Sequence, residues 1–153
     1  MIIWLSRHVN KKMVFFNIKN LQVQFHRTYF NIYITETELV KSNLLATISW
    51  MSTEWSVSFE YRITGVVSSW GSIVHLTIGS NIVQMGQRTT AVFTLPNSQK
   101  LIFNTTLHDE TNYICRSVEN LELNRVYKIE VHQRYISNGN YRYFIKIDGK
   151  EVH

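Results

Sequence analysis

Carboxylates, imidazoles and a single thiol are the groups in this sequence that catalysis or metal binding would have to use. Glu36 and Glu38 stand two residues apart, the spacing that places both side chains on one face of a strand. Paired carboxylates on one face can divide proton donation and acceptance between them. No third carboxylate joins this pair, and Glu60 stands alone between Ser58 and Arg62. These acids read as solvated strand-face carboxylates, and no catalytic residue is assigned. His8, His26, His75, His108, His132 and His153 show no close metal-ligand spacing, so no metal and no other cofactor is assigned. Cys115 is the only cysteine. It excludes an intrachain disulfide and reads as a buried thiol between Ile114 and Arg116. Neither a nucleophile elbow nor a phosphate-cradling glycine loop is present. Asn104-Thr105-Thr106 is a glycosylation sequon. Leu101, Phe103 and Leu107 share the inward parity of their segment, so Asn104 is expected to point outward, as a glycan requires.

The scaffold for these groups is written in period-two alternation. In the segment 54–63, Trp55, Val57, Phe59, Tyr61 and Ile63 fall on one parity, and Ser56, Ser58, Glu60 and Arg62 on the other. A strand turns that pattern into one apolar face and one wet face. Leu21, Val23 and Phe25 alternate in the same way, as do Val74, Leu76 and Ile78. Further strands are expected over 29–35, 44–51, 90–95, 100–107 and 113–118, from aromatic and β-branched content. Residues 108–112 are expected to form a turn. The last hairpin is the clearest: Tyr127 to Tyr135 and Tyr141 to Ile147 alternate around Asn138-Gly139, and Asn-Gly supplies the positive φ of a tight turn. Asp148-Gly149 is a second such turn, with only Lys150 to His153 after it. That predicts a C-terminally truncated sandwich whose open edge invites an edge-strand dimer.

Length, charge and composition narrow the class. A chain of 153 residues with 44% apolar content fits one well-filled domain. Five of its sixteen Lys and Arg residues, Arg7, Lys11, Lys12, Lys19 and Arg27, lie in the acid-free first thirty positions. The remaining eleven are balanced by the eleven Asp and Glu. Residues 1–20 therefore read as a basic N-terminal arm, and 21–153 as the folded domain. A neutral body gives no expectation of a nucleic-acid partner. No run is long enough for a membrane-spanning helix, and no signal peptide is visible. About ten short strands without helices predict an all-β, two-sheet antiparallel jelly-roll β-sandwich.

Three stretches, Asn43 to Ile48, Glu54 to Phe59 and Trp70 to Thr77, resemble lectin-like domains of the concanavalin A-like lectin/glucanase superfamily. Ile145 to Val152 resembles the late hairpin of its galectin-like and laminin G-like members. The resemblance covers roughly 39–153 and implies a jelly roll with ligands on a concave face or at loop tips. On that basis Trp70, His75, Thr77, Asn81 and Arg88 are the candidate ligand-binding residues, with Trp70 able to stack on the apolar face of a sugar. The chain departs from the pattern of the proteins it resembles at three points. The Glu-x-Asp-x-(x)-Glu strand of the retaining glycosidases is missing. His75-x-Thr77-x-Gly79 lacks the Asn and Arg of the galectin sugar strand. Gly86-Gln87-Arg88-Thr89-Thr90 replaces a Gly-Asp-Arg loop followed by Pro. The expected function is therefore non-enzymatic recognition of a glycan or a protein, at an extracellular or cell surface, with a cytoplasmic location left open. Two alternatives stand beside it: a glycoside hydrolase relative lacking the acid triplet, and a purely structural sandwich packed against a partner domain.

Overall fold

The alternating segments form strands, and the strands form two antiparallel sheets. The structure is a computed structural model describing residues 2–5, 17–25, 31–38, 43–47, 52–78, 88–107, 110–116 and 120–153. Side chains are described for 19–25, 47, 52–78, 88–107, 110–115 and 120–153. The strands are β1 Ile2–Leu5, β2 Asn17–Phe25, β3 Asn31–Glu38, β4 Asn43–Thr47, β5 Trp55–Arg62, β6 Gly71–Thr77, β7 Thr90–Thr94, β8 Leu101–Leu107, β9 Glu110–Arg116, β10 Val126–Ser137, β11 Asn140–Ile147 and β12 Lys150–Glu151. Sheet A has the order β4-β1-β6-β7-β8-β9, and sheet B the order β12-β11-β10-β5-β2-β3. The chain changes sheet five times, at β1–β2, β3–β4, β4–β5, β5–β6 and β9–β10.

β5 lies inside sheet B, paired with β2 on one side and β10 on the other. Its Trp55, Val57, Phe59 and Tyr61 are buried, as the alternation predicts. Val23 and Val131 flank Val57 in register, and Ile129 lies opposite Phe59. Sheet A closes over this face with Ile73, Leu76, Val92, Leu101 and Phe103, all members of the same core cluster. Two sheets sharing one apolar layer make a sandwich-like all-β architecture. The opposite face of β5 is less wet than the pattern predicts. Ser56 is buried, because Gln24 and His132 stand beside it on the neighbouring strands.

Both tight turns form as their sequences predict. Asn138 and Gly139 have φ of 51° and 77°, and Asp148 and Gly149 have 51° and 78°. Paired positive φ at the two central residues is what a two-residue hairpin loop needs. Within the expected arm, Ile2–Leu5 is hydrogen-bonded to β4 and β6, and β2 starts at Asn17. Two expectations are corrected. Residues 110–112 belong to β9 rather than to a turn. The residues after Asp148-Gly149 cover part of the β11 edge: the Ile145 N–H donates to the His153 carbonyl at 3.0 Å, and the Val152 N–H to the Ile145 carbonyl at 2.9 Å. His153 then reaches the other sheet, with its Nε2 3.2 Å from the Tyr113 hydroxyl.

Phe59 has 1% of its surface exposed, and Ser58 beside it on the opposite face is half-buried. Phe59→Ala is expected to cost about 3–5 kcal/mol through lost burial and the cavity left behind. Ser58→Ala is expected to change stability by less than about 0.5 kcal/mol. Urea midpoints of the two variants check this, and equal losses would refute the face assignment.

Candidate functional site

The candidate site is the outer face of sheet A, and Phe93 is its centre. β7 puts Val92 into the shared core and Phe93 on the other side of the sheet. There Ala91, Phe93 and Ile102 form a second buried apolar cluster with Leu95 against it. Three of the five ligand candidates gather around the Phe93 ring. The Trp70 ring meets it edge-on at 6.5 Å and 88°. His75 lies 6.2 Å away at 61°. The Arg88 guanidinium sits 5.5 Å from the ring centroid, close enough for a cation–π attraction.

Polar side chains border this ledge. Arg88 donates to Asn112 Oδ1 at 2.7 Å, and Asn104 Nδ2 donates to the same oxygen at 2.8 Å. The backbone behind Arg88 is held down by Thr105 and Thr106, whose hydroxyls donate to the Thr89 and Arg88 carbonyls at 2.6 and 3.2 Å. Burial lowers the pKa of the Arg88 guanidinium. Trp70 is held from its C-terminal side. A Cβ on Gly71 would come within 2.6 Å of Thr94 Oγ1, so a larger residue after Trp70 would have to displace the hydroxyl that donates to the Gly71 carbonyl.

Exposure sorts the predicted residues. Trp70 is 51% exposed and Arg88 is half-buried. His75 and Thr77 are buried, at 4% and 1%. His75 packs against Phe93, and both residues offer a ligand almost no surface. Asn81 lies outside the described residues. Asn104 has the predicted outward parity but is only 3% exposed, because the outer face of sheet A is itself packed. Its amide nitrogen, the atom that would carry a glycan, is engaged with Asn112. The expected exposure of Asn104 is corrected accordingly. Phe93 and Asn112 were missed. The signal for Phe93 was the unbroken apolar run Ala91-Val92-Phe93, since a strand without alternation is covered on both faces.

Cys115 is buried on the core side, and burial raises its pKa. Among the described residues no three His, Cys, Asp or Glu side chains gather as a metal site. A cavity of about 250 Å³ lies at one end of sheet B, lined by Lys19, Glu60, Tyr61, Arg62 and Val126. It is below the roughly 300–1,000 Å³ of most small-molecule pockets.

The outer face of sheet B holds a different cluster. His132 stacks on Phe144 at 4.6 Å and 10°, and the ring also lies 5.2 Å from the Arg142 guanidinium and 5.6 Å from the Lys146 ammonium. Burial lowers the His132 pKa, helped by Arg134, Lys146 and Lys128 and opposed by Glu130. Compared with known proteins, the chain matches no family model, no curated protein and no solved structure.

Two outcomes are expected. Secreted from eukaryotic cells, the folded protein carries no glycan on Asn104; an occupied Asn104, found by mass spectrometry in folded monomer, would show that the Asn112 contact opens. His132 is held neutral in the fold, with its pKa below that of the unfolded chain. Its contribution to stability is complete above the unfolded histidine value of about 6.5 and is lost as pH falls through the lower folded value. Thermal melts should therefore drop on acidification below about pH 6.5, and His132→Gln should flatten that slope.

Proposed function

We propose that this chain is a non-enzymatic recognition module that binds glycan on the outer face of sheet A. The observation that carries this reading is the half-exposed Trp70, buttressed edge-on by a Phe93 ring that also packs under the Arg88 guanidinium, itself bonded to Asn112. A rigid, amphipathic ring beside polar donors is the arrangement that grips a sugar through its apolar face and its hydroxyls. The resemblance of residues 39–153 to concanavalin A-like lectins supports the same reading. The five changes of sheet favour a jelly-roll path through the two layers. An extracellular or cell-surface setting follows from glycan recognition. Arg88 and Trp70 make the contacts in this reading, and His75 and Thr77 set the shape of the ledge.

A second reading, assembly through the edge of sheet B, has its own observation. β12 pairs only with Lys146 and Ile147, and among the described residues nothing pairs with the outer edge of Tyr141 to Phe144. A dimer formed by strand addition there would be seen by light scattering.

A glycan array probed with the wild-type chain and with Trp70→Ala tests the first reading. At least a tenfold loss of affinity is expected for Trp70→Ala with an unchanged melting temperature, because the ring is mostly outside the core. Glycan binding indifferent to Trp70→Ala would remove sheet A from the reading, and an array without hits would reject it.

A further inference from the structure

The β10–β11 hairpin carries two features that the glycan reading does not use. The first is its apolar tip. β5 begins at Trp55, opposite Gln133, so the hairpin runs on past the strand, with Thr53 and Glu54 bonded to it there. There Tyr135 is 45% exposed, Ile136 60% and Tyr141 41%. The two tyrosine rings brace each other at 5.5 Å and 68°, and the Tyr141 hydroxyl donates to Thr53 Oγ1 at 3.0 Å. The tip is thus held in shape while its apolar surface faces water.

The second feature is cationic. Arg134 and Arg142 lie directly opposite each other in register, an arrangement of like charges that destabilises a strand pair. Arg142 is ion-paired with Glu151. Arg134 is bonded to neutral groups: the Trp55 carbonyl at 3.1 Å, the Gln133 carbonyl at 3.5 Å and His132 Nδ1 at 3.5 Å. Among the described residues neither Arg134 nor Lys146 has a carboxylate partner. His132 Nε2 is buried without a hydrogen-bond partner. Glu54 is the acid nearest the tip, accepting from the Tyr135 N–H at 2.9 Å.

We propose that this hairpin docks tip-first on an anionic phospholipid surface, with Ile136, Tyr135 and Tyr141 entering the interface and Arg134, Arg142 and Lys146, on the opposite face of the hairpin from the two tyrosines, drawn to the headgroups from one side. Size and charge together select this occupant. Three half-exposed side chains offer on the order of 300 Å² of apolar contact, judging from the ~150–250 Å² that one aromatic side chain can bury. A stable protein partner needs about 800 Å² on each side. Shallow insertion at a bilayer needs far less, because electrostatic attraction supplements it. Tyrosine suits that depth, with an apolar body and a polar tip. Single-stranded nucleic acid fits less well: the Phe144 ring, the one among the cations, is already stacked by His132 and approached by Arg142 and Lys146, and the exposed tyrosines lie on the other face of the hairpin, so no open ring stands beside the cations for a base.

The test is co-sedimentation of the whole chain with vesicles of phosphatidylcholine alone or mixed with phosphatidylserine. Binding is expected only to the mixed vesicles, and it should weaken with salt. Ile136→Asn is expected to weaken it at least tenfold. Lys146→Gln and Arg134→Gln should each weaken it by about fivefold, the worth of one cation near such a surface. Ile136 and Lys146 lie away from the core, so their variants keep the fold, and an unchanged melting temperature checks this. Equal binding to both vesicle types, or binding indifferent to Ile136→Asn, overturns the proposal. So does heparin or single-stranded DNA competing the chain off only through Arg134 and Lys146 with Ile136 irrelevant, which would mark a general polyanion face. Loss of a soluble dimer in Ile136→Asn, with no vesicle binding by the wild type, assigns the tip to a second copy of the chain instead.

Discussion

Burial of the alternating face of β5 is the constraint on which the rest of this structure depends. Trp55, Val57, Phe59 and Tyr61 can leave water only if β2 and β10 extend their layer sideways and sheet A covers it from above. Each such side chain contributes on the order of 1.5–3 kcal/mol when fully buried. A one-residue slip in register would move all four to the solvent face. Pairing on both sides of β5 is therefore tightly specified, and so is everything hung on those partners, including the hairpin that continues β10 beyond the core.

Sheet A is organised differently, and its difference makes the candidate site. It buries both faces of β7 and β8. Val92 and Phe103 join the shared core, while Phe93 and Ile102 build a second cluster on the far side. A sheet face packed by its own side chains is rigid, and a rigid face can hold an exposed ring in one orientation. Trp70 is half exposed where β6 begins, and it is oriented because Phe93 stands at right angles to it. The same packing buries His75, Thr77 and Asn104, so that side chains of outward parity become support rather than contact.

The two outer faces thus divide by chemistry. On sheet A one amide oxygen, Asn112 Oδ1, gathers Arg88 and Asn104 beside an aromatic ledge. On sheet B cations surround a stacked His132–Phe144 pair, and beyond it an apolar tip runs past the neighbouring strand. The common core lies between the two faces, which point away from each other.

Strand identity and strand face were legible in the residues themselves. Period-two alternation is a local property, so 54–63, 127–135 and 141–147 could be read one segment at a time. The Asn-Gly and Asp-Gly turns were legible for the same reason, because positive φ is a demand made by two residues on their own backbone. What depended on which strand lies beside which was not legible. The order of the sheets, the place of Ile2–Leu5 between β4 and β6, and the joining of Asn112 to β9 are set by long-range hydrogen bonds. Alternation marks a side as outward, but only the tertiary structure decides whether that side meets water. At Ser58 it partly does. At Asn104, His75 and Phe93 neighbouring strands bring up enough side-chain volume to close the face, and burial is a sum over neighbours that no single segment contains.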